Sequence, residues 1–231
     1  DPRDVLVTQT GEALDDLEAG ARIGTNSLRR TLQLRRQRGD LEYAMLRGNV
    51  DTRLAKLAAG EYRAIVLAAA GLRRLGLHER PLLTLPVAVS VPAVGQGALA
   101  IEARADDAAT CALLARLDHA PSRACAESER LFLAALGGDC HTPLAGHAHL
   151  TDEGRRLRFE GWVGAVDSDE HVRASSEAWI EQGASLTDTA NRVASEVART
   201  LLDRGARELV ARAQALHSEK HDPRVRGGKS S

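Results

Sequence analysis

Short apolar runs alternate with amphipathic segments over the first 80 residues. "DVLVTQ", "ARIGT", "LEYAMLRG" and "RAIVLAAAG" are dense in Val, Ile, Leu and Ala and predict strands. "ALDDLEAG", "NSLRRTLQLRRQRG", "NVDTRLAKLAAGE" and "LRRLGL" follow them with apolar residues at helical spacing. Repeated strand–helix units predict a mainly parallel sheet covered by helices. The pattern changes near residue 118. "APSRACAESERLFLAALGG" predicts a helix capped by Ser122, with Leu131, Phe132, Ala135 and Leu136 on one face and Gly137 and Gly138 at its end. "PLAGHAHL", "LRFEGWVGAV" and "HVRASSEAWI" predict a three-stranded antiparallel sheet with polar turns. "SLTDTANRVASEVARTLLDRGARELVARAQ" predicts a long helix broken at Gly205, with a disordered tail over 216–231. The fold class is therefore α/β, with a second, small α+β domain.

Composition narrows the function classes. Aromatics make up 3% of the chain, so its cores are built from Leu, Val, Ile and Ala. A net charge of -1 gives no global field for nucleic acid or membranes, and aromatics for base stacking are nearly absent. Three cysteines without framework spacing suggest a reducing compartment, and hence the cytoplasm. No apolar run reaches the roughly 18 residues of a membrane span, and no secretory leader is evident. The chain opens at Asp1 and enters a strand almost at once, which reads as the middle of a longer protein.

Charge becomes informative through its placement. Only Lys56, Lys220 and Lys229 of the 31 basic residues are lysines. Three predicted strands end in a small or polar residue followed by arginines: Thr25-Asn26-Ser27-Leu28-Arg29-Arg30, Arg47-Gly48-Asn49-Val50-Asp51-Thr52-Arg53, and Ala70-Gly71-Leu72-Arg73-Arg74. Ligands of open α/β sheets bind outside the carboxyl ends of the strands, and helix N-termini favour anions there. The recurrence points to an anionic ligand; the competing reading is solvent-facing arginine on amphipathic helices. Gly95-Gln96-Gly97 interrupts an apolar stretch after Pro86 and Pro92, but it fits neither a dinucleotide fingerprint nor a P-loop.

"LGGDCHTPL", residues 136–144, places Cys140 just past a helix end on a turn. A thiol there is either presented to a ligand or a small buried residue at a tight turn. No partner for a Cys–His dyad is identifiable, and Cys140, His141, His147 and His149 supply no convincing four-ligand set, so no metal is expected. Cys111 and Cys125 fall in helical patterns and read as inert thiols, in the core or half-buried.

The motifs "GTNSLRR", "LRGNVDTRLAKL", "IVLAAAGLRRLGL", "VPAVGQGALAIE" and "LGGDCHTPL", in this order and spacing, resemble the porphobilinogen deaminase (hydroxymethylbilane synthase) family over residues 1 to about 215. The resemblance implies a sheet domain like those of periplasmic binding proteins over 1–92. It implies a return segment of a largely missing first domain over 93–117, and a C-terminal domain carrying the cofactor cysteine over 118–215. It implies a dipyrromethane cofactor joined by a thioether to Cys140, with Thr25, Ser27, Arg29, Arg30, Gln96 and Gly97 around it. Arg47, Arg53 and Arg74 would bind substrate carboxylates. The implied reaction is the head-to-tail condensation of four porphobilinogen molecules, with loss of ammonia, to give hydroxymethylbilane. The implied protein is a monomer that binds neither nucleic acid nor membrane.

The resemblance leaves one gap. The family's catalytic aspartate lies in an H-S-x-K-D motif, and that motif does not occur here. No catalytic residue is therefore assigned, and the chain is expected to be inactive by itself. Asp139, His141 and Asn26 depart from the residues usual in the family. The alternative without the resemblance is a non-enzymatic organic-anion-binding module of the type II solute-binding class, which would have no use for Cys140.

Overall fold

The computed structural model describes residues 1–77, 82–139 and 142–221. The first unit is built on five strands: β1 (Asp4–Thr8), β2 (Arg22–Thr25), β3 (Glu42–Met45), β4 (Ala64–Ala68) and β5 (Leu82–Thr84). Their order in the sheet is β3-β2-β4-β1-β5. β2 is parallel to both β3 and β4, whereas β1 is antiparallel to β4 and β5. The sheet is thus mixed, and the reversal of β1 turns out to matter for the site.

The strand residues alternate between two cores. Val5, Val7, Ile65 and Leu67 point to the face that packs on Leu54, Leu57 and Leu72. Leu6, Ala64 and Val66 point to the other, with Leu34, Leu41 and Leu85. Both faces are covered, so the strands read as continuous apolar runs. The covering helices are α1 (Leu28–Gln37), α2 (Val50–Ala58) and α3 (Ala69–Arg74). Ser27 caps α1 by accepting the Arg30 N–H, and Asn49 caps α2 by accepting the Thr52 N–H. "ALDDLEAG" forms only a three-residue 3-10 turn, Leu14–Asp16, because the chain is extended on either side at Ala13 and Leu17.

The second unit has β6 (Leu144–Thr151), β7 (Arg156–Gly164) and β8 (His171–Trp179) in one antiparallel sheet. One face is covered by α5 (Ala120–Leu136), α6 (Leu186–Asp203) and α7 (Ala206–His221). Phe132 of α5 packs closely against the sheet: a Cβ at Gly146 or Gly161 would approach its ring to 2.7 Å. Those two glycines leave room for one of the chain's few aromatic rings.

Two helix ends differ from expectation. The cap of α5 is His119, not Ser122, because Pro121 sits in the first turn, where its missing N–H costs nothing. The tail expected from residue 216 is helical to His221, and residues 222–231 lie outside the described residues. The break at Gly205 holds, with φ +91.

Between the units runs the segment that follows β5. Val91 packs with Ala145 and Trp162 on the outer face of the second sheet, and Leu32 of α1 joins them. Beyond it, α4 (Ala108–Leu114) buries none of its residues. Leu99, Ile101, Leu113 and Leu117 are exposed.

Candidate functional site

The reversal of β1 sets Asp4, its first residue, level with Ala68 at the carboxyl end of β4. Asp4 therefore lies among the arginines that follow the strand ends. It is fully buried. Arg29 meets both its oxygens, Nη1 at 2.8 Å from Oδ2 and Nη2 at 3.2 Å from Oδ1. Arg30 donates from Nε to Oδ1 at 3.0 Å, Gln96 from Nε2 to Oδ1 at 2.8 Å, and Ser90 from its hydroxyl to Oδ2 at 2.7 Å. Burial pushes the Asp4 carboxyl up, but the charges of Arg29 and Arg30 and these hydrogen bonds outweigh it and hold the pKa at about 2.

The two arginines have further partners. Arg29 donates to the Val91 carbonyl at 2.6 Å, and Arg30 to the Val66 carbonyl at 3.2 Å and to Gln96 Oε1 at 3.4 Å. Burial pulls the Arg29 guanidinium below its ordinary value, against the opposing pull of Asp4. Arg29 and Arg30 thus face inward. The anion they hold in this structure is a side chain of the protein.

The other arginines face out. Arg47, just beyond β3, is exposed; its Nε contacts Met45 Sδ at 3.1 Å. Arg53 is half-buried in the first turns of α2 and donates to the Gly48 carbonyl at 2.8 Å. Burial and the neighbouring Arg30 lower its pKa. Arg74, at the end of α3, is exposed, and among the described residues its guanidinium has no ion-pair or hydrogen-bond partner. Among the described residues, no carboxylate forms an ion pair with any of these three.

Thr25, Ser27, Gln96 and Gly97 make contacts in the frame around the arginines. Thr25 Oγ1 accepts the Ser27 N–H at 3.2 Å, and Ser27 caps α1. Gln96 also donates to the Pro2 carbonyl. Gly97 has φ +86, and a Cβ there would lie 3.0 Å from the Asp1 carbonyl oxygen. Asn26 is exposed. Cys140 and His141 lie outside the described residues. Beside them, the Asp139 carboxylate accepts the Thr142 N–H at 3.0 Å and its hydroxyl at 2.9 Å. Cys125 is half-buried, and burial, then the nearby Glu129, pushes its thiol up to about 11. His147 and His149 share a face of β6, with rings stacked at 5.0 Å. Among the described residues no three His, Cys, Asp or Glu side chains converge as metal ligands.

The sequence pattern missed Asp4, Ser90 and Glu129. Asp4 opens an apolar run, and nothing local marks it: its role depends on which way β1 runs. The signal that does exist is the chemistry of adjacent buried arginines, which require a buried anion.

Two family models match the chain. "Porphobilinogen deaminase, dipyromethane cofactor binding domain" covers residues 1–112, and "Porphobilinogen deaminase, C-terminal domain" covers residues 123–203. Curated proteins named porphobilinogen deaminase align with it. That of Syntrophobacter fumaroxidans is 45% identical over 210 residues, 91% of this chain and 65% of the relative. That of Roseiflexus castenholzii is 49% identical over 211 residues, 91% of this chain and 66% of the relative. That of Brevibacillus brevis is 42% identical over 211 residues, 91% of this chain and 65% of the relative. The chain thus spans just under two thirds of the length of these relatives. The matches correct the expectation of a fragment lacking most of the first domain. The cofactor-binding-domain model runs unbroken over residues 1–112, so most of 93–117 belongs with that match rather than with a missing domain.

Proposed function

Because the chain belongs to the porphobilinogen deaminase family, we propose that its arginine-lined face holds pyrrole carboxylates during the assembly of hydroxymethylbilane from four porphobilinogen molecules. The observation that carries this reading is the division of the arginines. Arg29 and Arg30 are fixed by Asp4, while Arg47, Arg53 and Arg74 follow the strand ends with no acidic partner among the described residues. A guanidinium binds a planar carboxylate as a fork, and such charge-assisted bonds are the strong ones.

The donor set fits a dipyrromethane, whose acetates and propionates need several fixed cations. Arg47, Arg53 and Arg74 would hold those carboxylates, and Arg30 and Gln96 would form the floor beneath them. Cys140 is the proposed attachment point. When bound there through a thioether, dipyrromethane supplies the pyrrole position from which the chain of rings is extended. The protein's part is to orient each incoming porphobilinogen by its carboxylates and to offset their mutual repulsion. We place the protein in the cytoplasm, as a monomer.

Loss of ammonia leaves positive charge on the pyrrole, and a carboxylate must stabilise it. Asp4 is not available for that task, since Arg29, Arg30, Gln96 and Ser90 already occupy both its oxygens. The H-S-x-K-D motif is absent from the 231 residues. The chain by itself is therefore expected to bind porphobilinogen without releasing ammonia. A coupled ammonia assay on the purified chain checks this; sustained porphobilinogen-dependent release would show that it holds a working carboxylate after all.

A further inference from the structure

A buried carboxylate of the C-terminal unit contacts the segment beside the arginine cluster. Glu129 on α5 is 6% exposed. Its Oε2 accepts the Gly95 N–H at 2.6 Å, and its Oε1 accepts the Ala148 N–H of β6 at 2.8 Å. His147 Nδ1 lies 3.4 Å from the same Oε1. Gly95 has φ +71, a left-handed conformation that lets its N–H turn toward α5. The next residue, Gln96, donates to Asp4 and accepts from Arg30. A second anchor lies three residues earlier, where the Pro92 carbonyl accepts the Gly146 N–H at 3.2 Å. The chain from Pro92 to Gln96 is thus strapped to α5 and β6 on one side and to the buried arginines on the other.

We propose that Glu129 is a positioning residue for the anion-binding face: by fixing the Gly95–Gln96 turn it holds the Gln96 amide on Asp4 and Arg30. This rests on the reading of that face as a pyrrole-carboxylate site. Two backbone N–H donors converge on Glu129, beside the His147 ring, and a carboxylate satisfies both. An amide at this position offers one oxygen for the two and opposes the other with its own donor. In Glu129→Gln, either Gly95 or Ala148 loses its acceptor. Energetic coupling through such a network is typically worth about 0.5–2 kcal/mol, or about a 2- to 30-fold change in affinity.

The experiment compares the wild-type chain, Glu129→Gln and Phe132→Leu, a control in the same core. Two readouts are taken: the Gln96 side-chain amide resonances in a 1H–15N spectrum, and porphobilinogen affinity by calorimetry. Glu129→Gln is expected to move the Gln96 resonances and weaken binding about 2- to 30-fold. Phe132→Leu is expected to lower the melting temperature while leaving both in place. Unmoved Gln96 resonances, or movement without loss of affinity, would overturn the proposal. If Glu129→Gln fails to fold, the Gly95 amide of the wild-type chain decides: protection from exchange supports the strap, and exchange at the rate of a free peptide refutes it. A wild-type chain that does not bind porphobilinogen would count against the carboxylate-binding reading, while the Gln96 resonances would still report on the strap.

Discussion

Asp4→Ala is expected to cost the fold about 3–5 kcal/mol, the range for removing one partner of a buried ion pair. The substitution strands Arg29 and Arg30 in the protein interior, where they are 4% and 9% exposed. Each keeps a backbone carbonyl, Val91 for Arg29 and Val66 for Arg30, but neither carbonyl supplies a countercharge. Urea denaturation of the two proteins at neutral pH measures the difference. A loss below about 1 kcal/mol would mean that water reaches the guanidiniums and that the cluster is not sealed.

The same carboxylate sets a pH dependence. Its pKa is about 2 in the fold against an ordinary 3.8. The folded state therefore binds this proton less readily than the unfolded state. The contribution, about 2–3 kcal/mol, is fully present above pH 5 and declines as pH falls toward 2. About 1 kcal/mol of it is expected to be gone by pH 3. In Asp4→Asn that part of the acid dependence is expected to vanish. An Asn variant with the same acid slope as the wild type would assign the slope to other carboxylates.

The second large effect concerns binding without stability. Arg47→Leu removes an exposed cation and is expected to shift folding by no more than about 0.5 kcal/mol. Charge-assisted hydrogen bonds are worth about 1.5–3 kcal/mol each, so porphobilinogen affinity is expected to fall about 10- to 150-fold. Arg53→Leu is expected to act in the same direction. Burial and the charge of Arg30 lower the Arg53 pKa, and an arriving anion offsets both. Calorimetric titration checks affinity, and the melting curve without ligand checks the fold. Unchanged affinity in both variants would remove the outward arginines from the site. Loss of folding in Arg47→Leu would contradict its exposed position.

These contrasts show what the chain's pattern could and could not convey. The second unit was legible almost element by element, because polar turns separate three runs of strand-forming residues, and β8 alternates half-buried with exposed positions along its second half. The break at Gly205 was legible too, since the positive φ there suits glycine. In the first unit the strands were legible but the direction of β1 was not. Val5, Leu6 and Val7 are buried on both faces, and an apolar run of that kind looks the same in either orientation. The arginines stood out, yet their division was hidden. Arg29 and Arg30 follow β2 much as Arg47 and Arg53 follow β3, and only the placement of Asp4 separates the inward pair from the outward set. Glu129 carried no signal either, because its partners Gly95, Ala148 and His147 lie 34, 19 and 18 residues away.

The central claim is that Cys140 anchors a pyrrole polyanion that the outward arginines hold. Intact-mass measurement of the chain, purified from a bacterial host whose own tetrapyrrole pathway supplies the pyrroles, tests it most directly. The expected result is a mass increase equal to two linked porphobilinogen-derived rings on the wild-type chain and none on Cys140→Ser. An unmodified wild-type thiol, or an adduct that survives Cys140→Ser, would contradict it.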